Sequence, residues 1–183
     1  FKGAVSFQGS NVFISESDTL ILGTSAITGN LDLKSLHIRQ NGAYVSVNGT
    51  TQLTAITIAM DAFPNRFVGP MDITGTLANI SNTQDFILGN VSLTAELILN
   101  TEGFITQTGV LKSGGITFTA AGDIILNNAG NAFGKLAAKA ANIGVTSAGA
   151  LTLDGVYAAG NLAITAGGDV TQLGAVQALA EGA

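Results

Sequence analysis

Charged residues are scarce in this 183-residue chain: Asp, Glu, Lys and Arg together make up 10% of it. Solvated helix faces are normally filled with Glu, Lys and Arg, so a large helical surface is excluded. Cationic residues are scarcer still, seven Lys plus Arg against twelve Asp plus Glu, for a formal net charge of −5. A nucleic-acid or anionic-membrane surface needs clustered cations, and none are present. Cysteine is absent, which removes disulfide frameworks and Cys-based metal sites. No stretch approaches the roughly 18 consecutive apolar residues that would suggest a membrane-spanning helix. Phe1-Lys2-Gly3-Ala4-Val5 lacks the charged-then-apolar pattern of a secretory leader. Both ends read as cuts through a longer repetitive chain.

What is abundant is apolar and small polar. Hydrophobic residues reach 46%, too many for a disordered chain. The polar positions are Thr, Ser, Asn, Gln and Gly, residues that suit strands and tight turns. Apolar residues recur in short alternating pairs: Val5/Phe7, Val12/Ile14, Leu20/Leu22, Leu31/Leu33, Val45/Val47 and Ile56/Ile58. Period two means strands with one side chain in and the next out. An all-β fold follows.

A longer period overlies the short one. Phe1, Phe67 and Phe133 are evenly spaced at a period of 66, and Gly9 to Gly23 aligns without gaps on Gly75 to Gly89. Ile38-Arg39-Gln40, Ile105-Thr106-Gln107 and Val170-Thr171-Gln172 keep nearly the same spacing. Super-repeats at 1–66, 67–132 and a partial 133–183 form one continuous array. Dividing 66 by three gives about 22 residues per coil, three strands and three corners, stacked at about 4.8 Å. The expectation is a parallel β-helix of about eight coils on the order of 40 Å long. The Ala-rich segment 136–141 favours a helix locally, but its register in the repeat predicts a strand.

Asn131-Ala132-Phe133-Gly134, Ala148-Gly149-Ala150 before Leu151-Thr152-Leu153, and the run from Gly160 to Gly174 carry a resemblance. Together they are similar to the filamentous-haemagglutinin-type repeats of giant bacterial adhesins exported by two-partner secretion. The likeness is best over residues 97–178. Residues 34–70 depart from it, with His37, Tyr44, Pro64 and Arg66 in unusual places. The resemblance implies a right-handed β-helical shaft, secreted or displayed at a Gram-negative surface, with no family-defined binding residues in these repeats. The expected partners are neighbouring repeats, homotypic filament contacts, and host or cell-surface glycan or protein, without nucleic acid or membrane insertion.

No catalytic, cofactor or metal residues are assigned from sequence, and no enzyme is expected. The rival class is a carbohydrate-binding or polysaccharide-cleaving β-helix, which for cleavage needs converging carboxylates. Here the acids are scattered: Glu16, Asp18, Asp32, Asp61, Asp72, Asp85, Glu96, Glu102, Asp123, Asp154, Asp169 and Glu181. Corner or surface roles are expected for them. His37, beside Arg39, reads as a solvent-facing strand residue without a carboxylate partner. Gly122-Asp123 and Gly168-Asp169 resemble calcium-roll turns but are too far apart to share an ion. Gln40, Gln107 and Gln172 read as strand-end or corner residues. Thr117-Phe118-Thr119 is a lone Thr-x-Thr, and Asn48, Asn79 and Asn90 head glycosylation sequons.

Overall fold

The computed structural model describes residues 1–42, 44–61 and 64–179. All of its strand pairings are parallel, and each joins residues 17–20 positions apart. The chain is a parallel β-solenoid of about nine turns. Among the described residues no helix is long and apolar enough to cross a membrane.

Each turn crosses three faces. On the second face one inward column runs almost the whole length: Leu20, Ile38, Ile58, Ala78, Leu97, Ile116, Leu136 and Leu153, each paired with the next. On the first face Ile14, Leu33, Leu53, Ile73, Val91 and Leu111 stack likewise. All of these residues are buried. The third face carries Ile27, Val47 and Phe67, then Phe86, Ile105, Ile124, Ile143 and Leu162. Between Phe67 and Phe86 a buried side chain bridges the two runs. Asn82 Oδ1 accepts from Phe67 N at 2.8 Å while its Nδ2 donates to the carbonyls of Gln84 and Asp85. Several strands bend through a corner and serve two faces; Thr51–Met60 pairs with both Leu31–Lys34 and His37–Gln40. Each fully buried Leu, Ile or Phe contributes roughly 1.5–3 kcal/mol, and no turn can bury its apolar face alone.

The expected coil length of 22 is corrected: paired strands stand about 19 residues apart, within the range of 17–20. That expectation placed equivalent residues of successive super-repeats on the same face. The registers instead carry Ile14 on the first face to Ile80 on the second, and Leu20 on the second to Phe86 on the third. One super-repeat therefore covers three turns plus one face, ten faces in all. Spread over three and one-third turns, a period of 66 comes to about 20 per turn, at the upper end of that range.

The Ala-rich segment lies within the strand Ala132–Ala140, paired to Leu111–Ala120 below and Leu151–Ala158 above. Stacking overrides its helix propensity, since Leu136, Ala138 and Ala140 fill inward positions. Glycine answers close approach more often than backbone strain. Positive φ occurs at Gly42 and Gly155, whereas a Cβ on Gly49 would lie 2.5 Å from the Gly29 carbonyl oxygen one turn below.

The super-repeat has a buried polar joint. Asn65 Oδ1 accepts from Val45 N and Gln40 Nε2, and its Nδ2 donates to Met60 O and Gln40 Oε1, at 2.6–2.9 Å. One super-repeat on, Asn131 repeats the set with Leu111 N, Gln107 Nε2, Leu126 O and Gln107 Oε1. Both asparagines are fully buried, and the amide pair satisfies main-chain groups where the chain turns a corner. Gln40 and Gln107 thus act as corner residues on successive faces. Gln172, third in the series, is exposed.

Two outcomes test this account. Asn131→Ala orphans a buried N–H, a carbonyl and the Gln107 amide, and should cost about 3 kcal/mol in urea unfolding. Gln172→Ala should stay within about 0.5 kcal/mol; equal costs would refute the joint. Gly49→Ala should lower stability by about 1–3 kcal/mol through overpacking. Gly149→Ala, whose added Cβ meets nothing within 4 Å, should be neutral in the same thermal melts.

Candidate functional site

The acidic residues are held apart, and several work on the backbone of the next turn. Asp72 Oδ1 accepts from Asn90 N at 2.6 Å, Asp85 Oδ1 from Phe104 N at 3.0 Å, and Asp123 Oδ1 from Asn142 N at 3.0 Å. Asparagines continue these ladders. Asn11 takes Asn30 N, Asn30 takes Thr50 N, Asn90 takes Val110 N and Asn142 takes Asn161 N. A short Asx side chain can satisfy a main-chain N–H that has left the strand ladder. Asp18 and Asp85, 67 residues apart in the sequence, lie at different corners as well as different turns.

Other acids have local partners. Glu96 Oε1 accepts from Thr117 Oγ1 at 2.6 Å, Asp61 Oδ2 from Asn79 Nδ2 at 2.8 Å, and Asp154 sits 3.6 Å from the Lys135 ammonium. The Phe1 ammonium, 2.7 Å from Glu16, holds that carboxyl below its ordinary pKa, helped by the Ser17 N–H. Glu181 lies outside the described residues. Among the described residues no three of His, Asp and Glu come together as a metal cluster; Asp123 precedes Ile124, paired with Ile105 and Ile143, while Asp169 precedes Val170, paired with Leu151, so the two lie at different corners.

His37 is half-buried rather than fully solvent-facing, with Nδ1 2.7 Å from Thr57 Oγ1 on the next turn. Arg39 is exposed on the same strand. The neighbours of Thr117 and Thr119 are Ile98 and Asn100 below and Ala137 and Lys139 above, so Thr-x-Thr does not repeat there. All three sequon asparagines are engaged: Asn48 with Arg66, Asn79 with Asp61 and Asn90 with Val110.

Of the four residues that depart from the resemblance, His37, Tyr44, Pro64 and Arg66, the fold brings the last three to one cavity. Ser46 pairs with Arg66 across adjacent turns, and Tyr44 and Pro64 lie just before those two residues in sequence. With Ser46 and Thr83 the three line this surface cavity of about 280 Å³. Arg66 Nη1 donates to Asn48 Oδ1 at 2.7 Å, and no ion pair involves Arg66 among the described residues. A cavity of about 390 Å³ at Lys139, Tyr157, Gln177 and Leu179 lies at the last described turn. An apolar stripe, Leu36 and Ile56 with Thr54 and Thr74, follows the corner between the first and second faces.

Sequence reasoning missed the Asx ladders and the Gln–Asn joint. The signal that would have given the turn length directly is the series Gly9, Gly29, Gly49, Gly69, Gly89 and Gly109, which recurs at a constant interval of 20.

No curated protein matches the chain, and no solved structure does. A family model described as "Repeats of unknown function (DUF5649)" matches three successive segments, residues 9–74, 74–138 and 140–181. Their spacing is that of the super-repeat, offset by several positions from a division at 1, 67 and 133. Those three matches cover nearly all of the sequence, and the chain belongs to the family of repeats of unknown function DUF5649.

Proposed function

We propose that this chain is a structural shaft, a rigid spacer in a secreted or surface-displayed bacterial adhesin of filamentous-haemagglutinin type. The observation that carries the proposal is the parallel ladder that joins turn to turn between Gln8 and Ala178, interrupted on the third face only between Phe67 and Phe86, around one apolar core. A solenoid of this kind converts residue number into length. Every added turn is held by its own main-chain bonds and by burial against its neighbour. The right-handed coil belongs to the same reading, supported by the strong preference of parallel crossovers for that hand. So do export to a Gram-negative surface and the absence of an enzymatic step, both resting on the resemblance and on the dispersed acids.

End-to-end filament formation extends the same reading, because unpaired edges of parallel strands invite a further strand. The alternative is a carbohydrate-binding or polysaccharide-cleaving β-helix. Its binding form is favoured by the Tyr44–Arg66 cavity, while for its cleaving form no cluster of three or more His, Asp or Glu stands among the described residues.

Duplicating residues 67–132 in tandem should lengthen the particle by about 16 Å at constant cross-section in small-angle scattering, three and one-third rises of about 4.8 Å. A thicker particle of unchanged length would remove the shaft. On intact cells of the source bacterium, antibody and added protease should reach the protein; full protection behind the cell envelope would remove the surface placement. Sedimentation should show oligomers growing with concentration; a single species unchanged over that range would remove the filament.

A further inference from the structure

We propose that the Tyr44–Arg66 cavity binds an acidic sugar ring, with the carboxylate on Arg66 and an apolar ring face on Tyr44. The inference goes beyond the shaft, because a shaft needs none of these outward residues. The repeat itself makes the case. Inward, the two copies agree: Val45 matches Leu111, Asn65 matches Asn131 and Phe67 matches Phe133. Outward, on the same strands, Tyr44, Ser46, Pro64 and Arg66 stand where the next copy has Val110, Lys112, Gly130 and Ala132. The fold builds the corner equally well with the second set, so the first set answers to something other than folding.

Its chemistry is specific. The guanidinium has five N–H donors in a planar fork suited to a carboxylate. One nitrogen is tied to Asn48 Oδ1, which fixes the group against the strand, and no carboxylate of the described chain neutralises it. Asp61, the acid closest in sequence, is engaged by Asn79. Tyr44 is 44% exposed and, with Pro64 on the same cavity wall, offers an apolar face. The Ser46 and Thr83 hydroxyls line the same cavity and supply the donors and acceptors that hydroxyl-rich ligands require. At about 280 Å³ the cavity is near the small end of ligand pockets, the size for one ring rather than a chain.

The test uses the full chain with trigalacturonate as probe and a neutral galactose trisaccharide of equal length as comparison, both followed by calorimetry. The chain has two tyrosines and no tryptophan, so in a Tyr157→Phe background tyrosine fluorescence reports Tyr44 directly. Saturable binding of the acidic sugar is expected, with the neutral one about tenfold weaker or worse. Arg66→Gln and Tyr44→Ala should each weaken the acidic sugar about tenfold, with melting temperatures held near the parent's because both side chains point outward. Arg66→Lys should fall between, keeping the charge but losing the fork. The proposal is overturned by no saturable binding, by equal affinity for both sugars, or by variants that bind like the parent. It is likewise overturned if acetate binds as tightly as trigalacturonate, which would leave a bare anion contact without sugar recognition.

Discussion

Everything in this molecule depends on the main-chain ladder between consecutive turns. A parallel strand is satisfied only if the strand one turn on lies in register about 4.8 Å away. The turn length is therefore fixed by the backbone before any side chain is chosen. Given that constraint, inward positions must be apolar on every turn, because a parallel sheet closed on itself has no dry alternative for them. The corners are the difficulty. There the chain leaves the ladder, and its N–H and C=O groups need other partners. The fold meets the need with side-chain amides and carboxylates that reach one turn along the axis: Asn11, Asn30, Asp72, Asn90, Asp123 and Asn142. Where a corner is deeper, the Gln40–Asn65 and Gln107–Asn131 pairs close it. A chain poor in charge and rich in Asn, Thr and Gly is what such a design requires.

The strands were legible because period-two alternation is a local signal, carried by pairs such as Leu31/Leu33 and Val45/Val47. The Ala-rich strand Ala132–Ala140 was legible only through the repeat, since local propensity pointed the other way. The turn length was misjudged for a definable reason. A repeat of period 66 says that the pattern recurs, not that it recurs on the same face. The assumption of whole turns divided 66 by three, whereas the chain divides it by three and one-third. Gly29, Gly49 and Gly69 hold the better ruler, because a residue packed against the backbone of the turn below must recur once per turn. The hand of the coil leaves no mark on any of these periodicities, since mirror-image windings share one pattern of in and out.

The candidate site was half legible. Tyr44, Pro64 and Arg66 were marked, with His37, as departures from the resemblance, but the meeting of the three depends on the register of Ser46 against Arg66. The acids show the converse. Scattered in sequence, they suggested corner or surface roles, and the geometry adds that Asp72, Asp85 and Asp123 serve main-chain N–H groups. An Asp that accepts from the next turn looks the same in sequence as one that waits for a metal ion. What separates them is whether a backbone donor stands 2.6–3.0 Å away.

The extra third of a turn has a consequence for how such a chain can evolve. Inward residues repeat every 66 positions because each face presents the same apolar column, so the pattern survives rotation from face to face. Outward residues do not share that symmetry. A side chain at a given repeat position points one way in the first copy, about a third of a revolution further in the second, and returns to its first direction only after about ten turns. A surface feature copied with the repeat would therefore be spread around the rod rather than lined up along it. A ligand approaching from one side would meet it once in three copies. Selection for binding then acts on single copies, through substitutions that the core does not feel, and selection for stiffness acts on all of them. Tyr44 and Arg66, beside the recurring inward positions of Val45, Asn65 and Phe67, have the form that this division of labour would leave: an interior that repeats from copy to copy, and an exterior free to differ at one place.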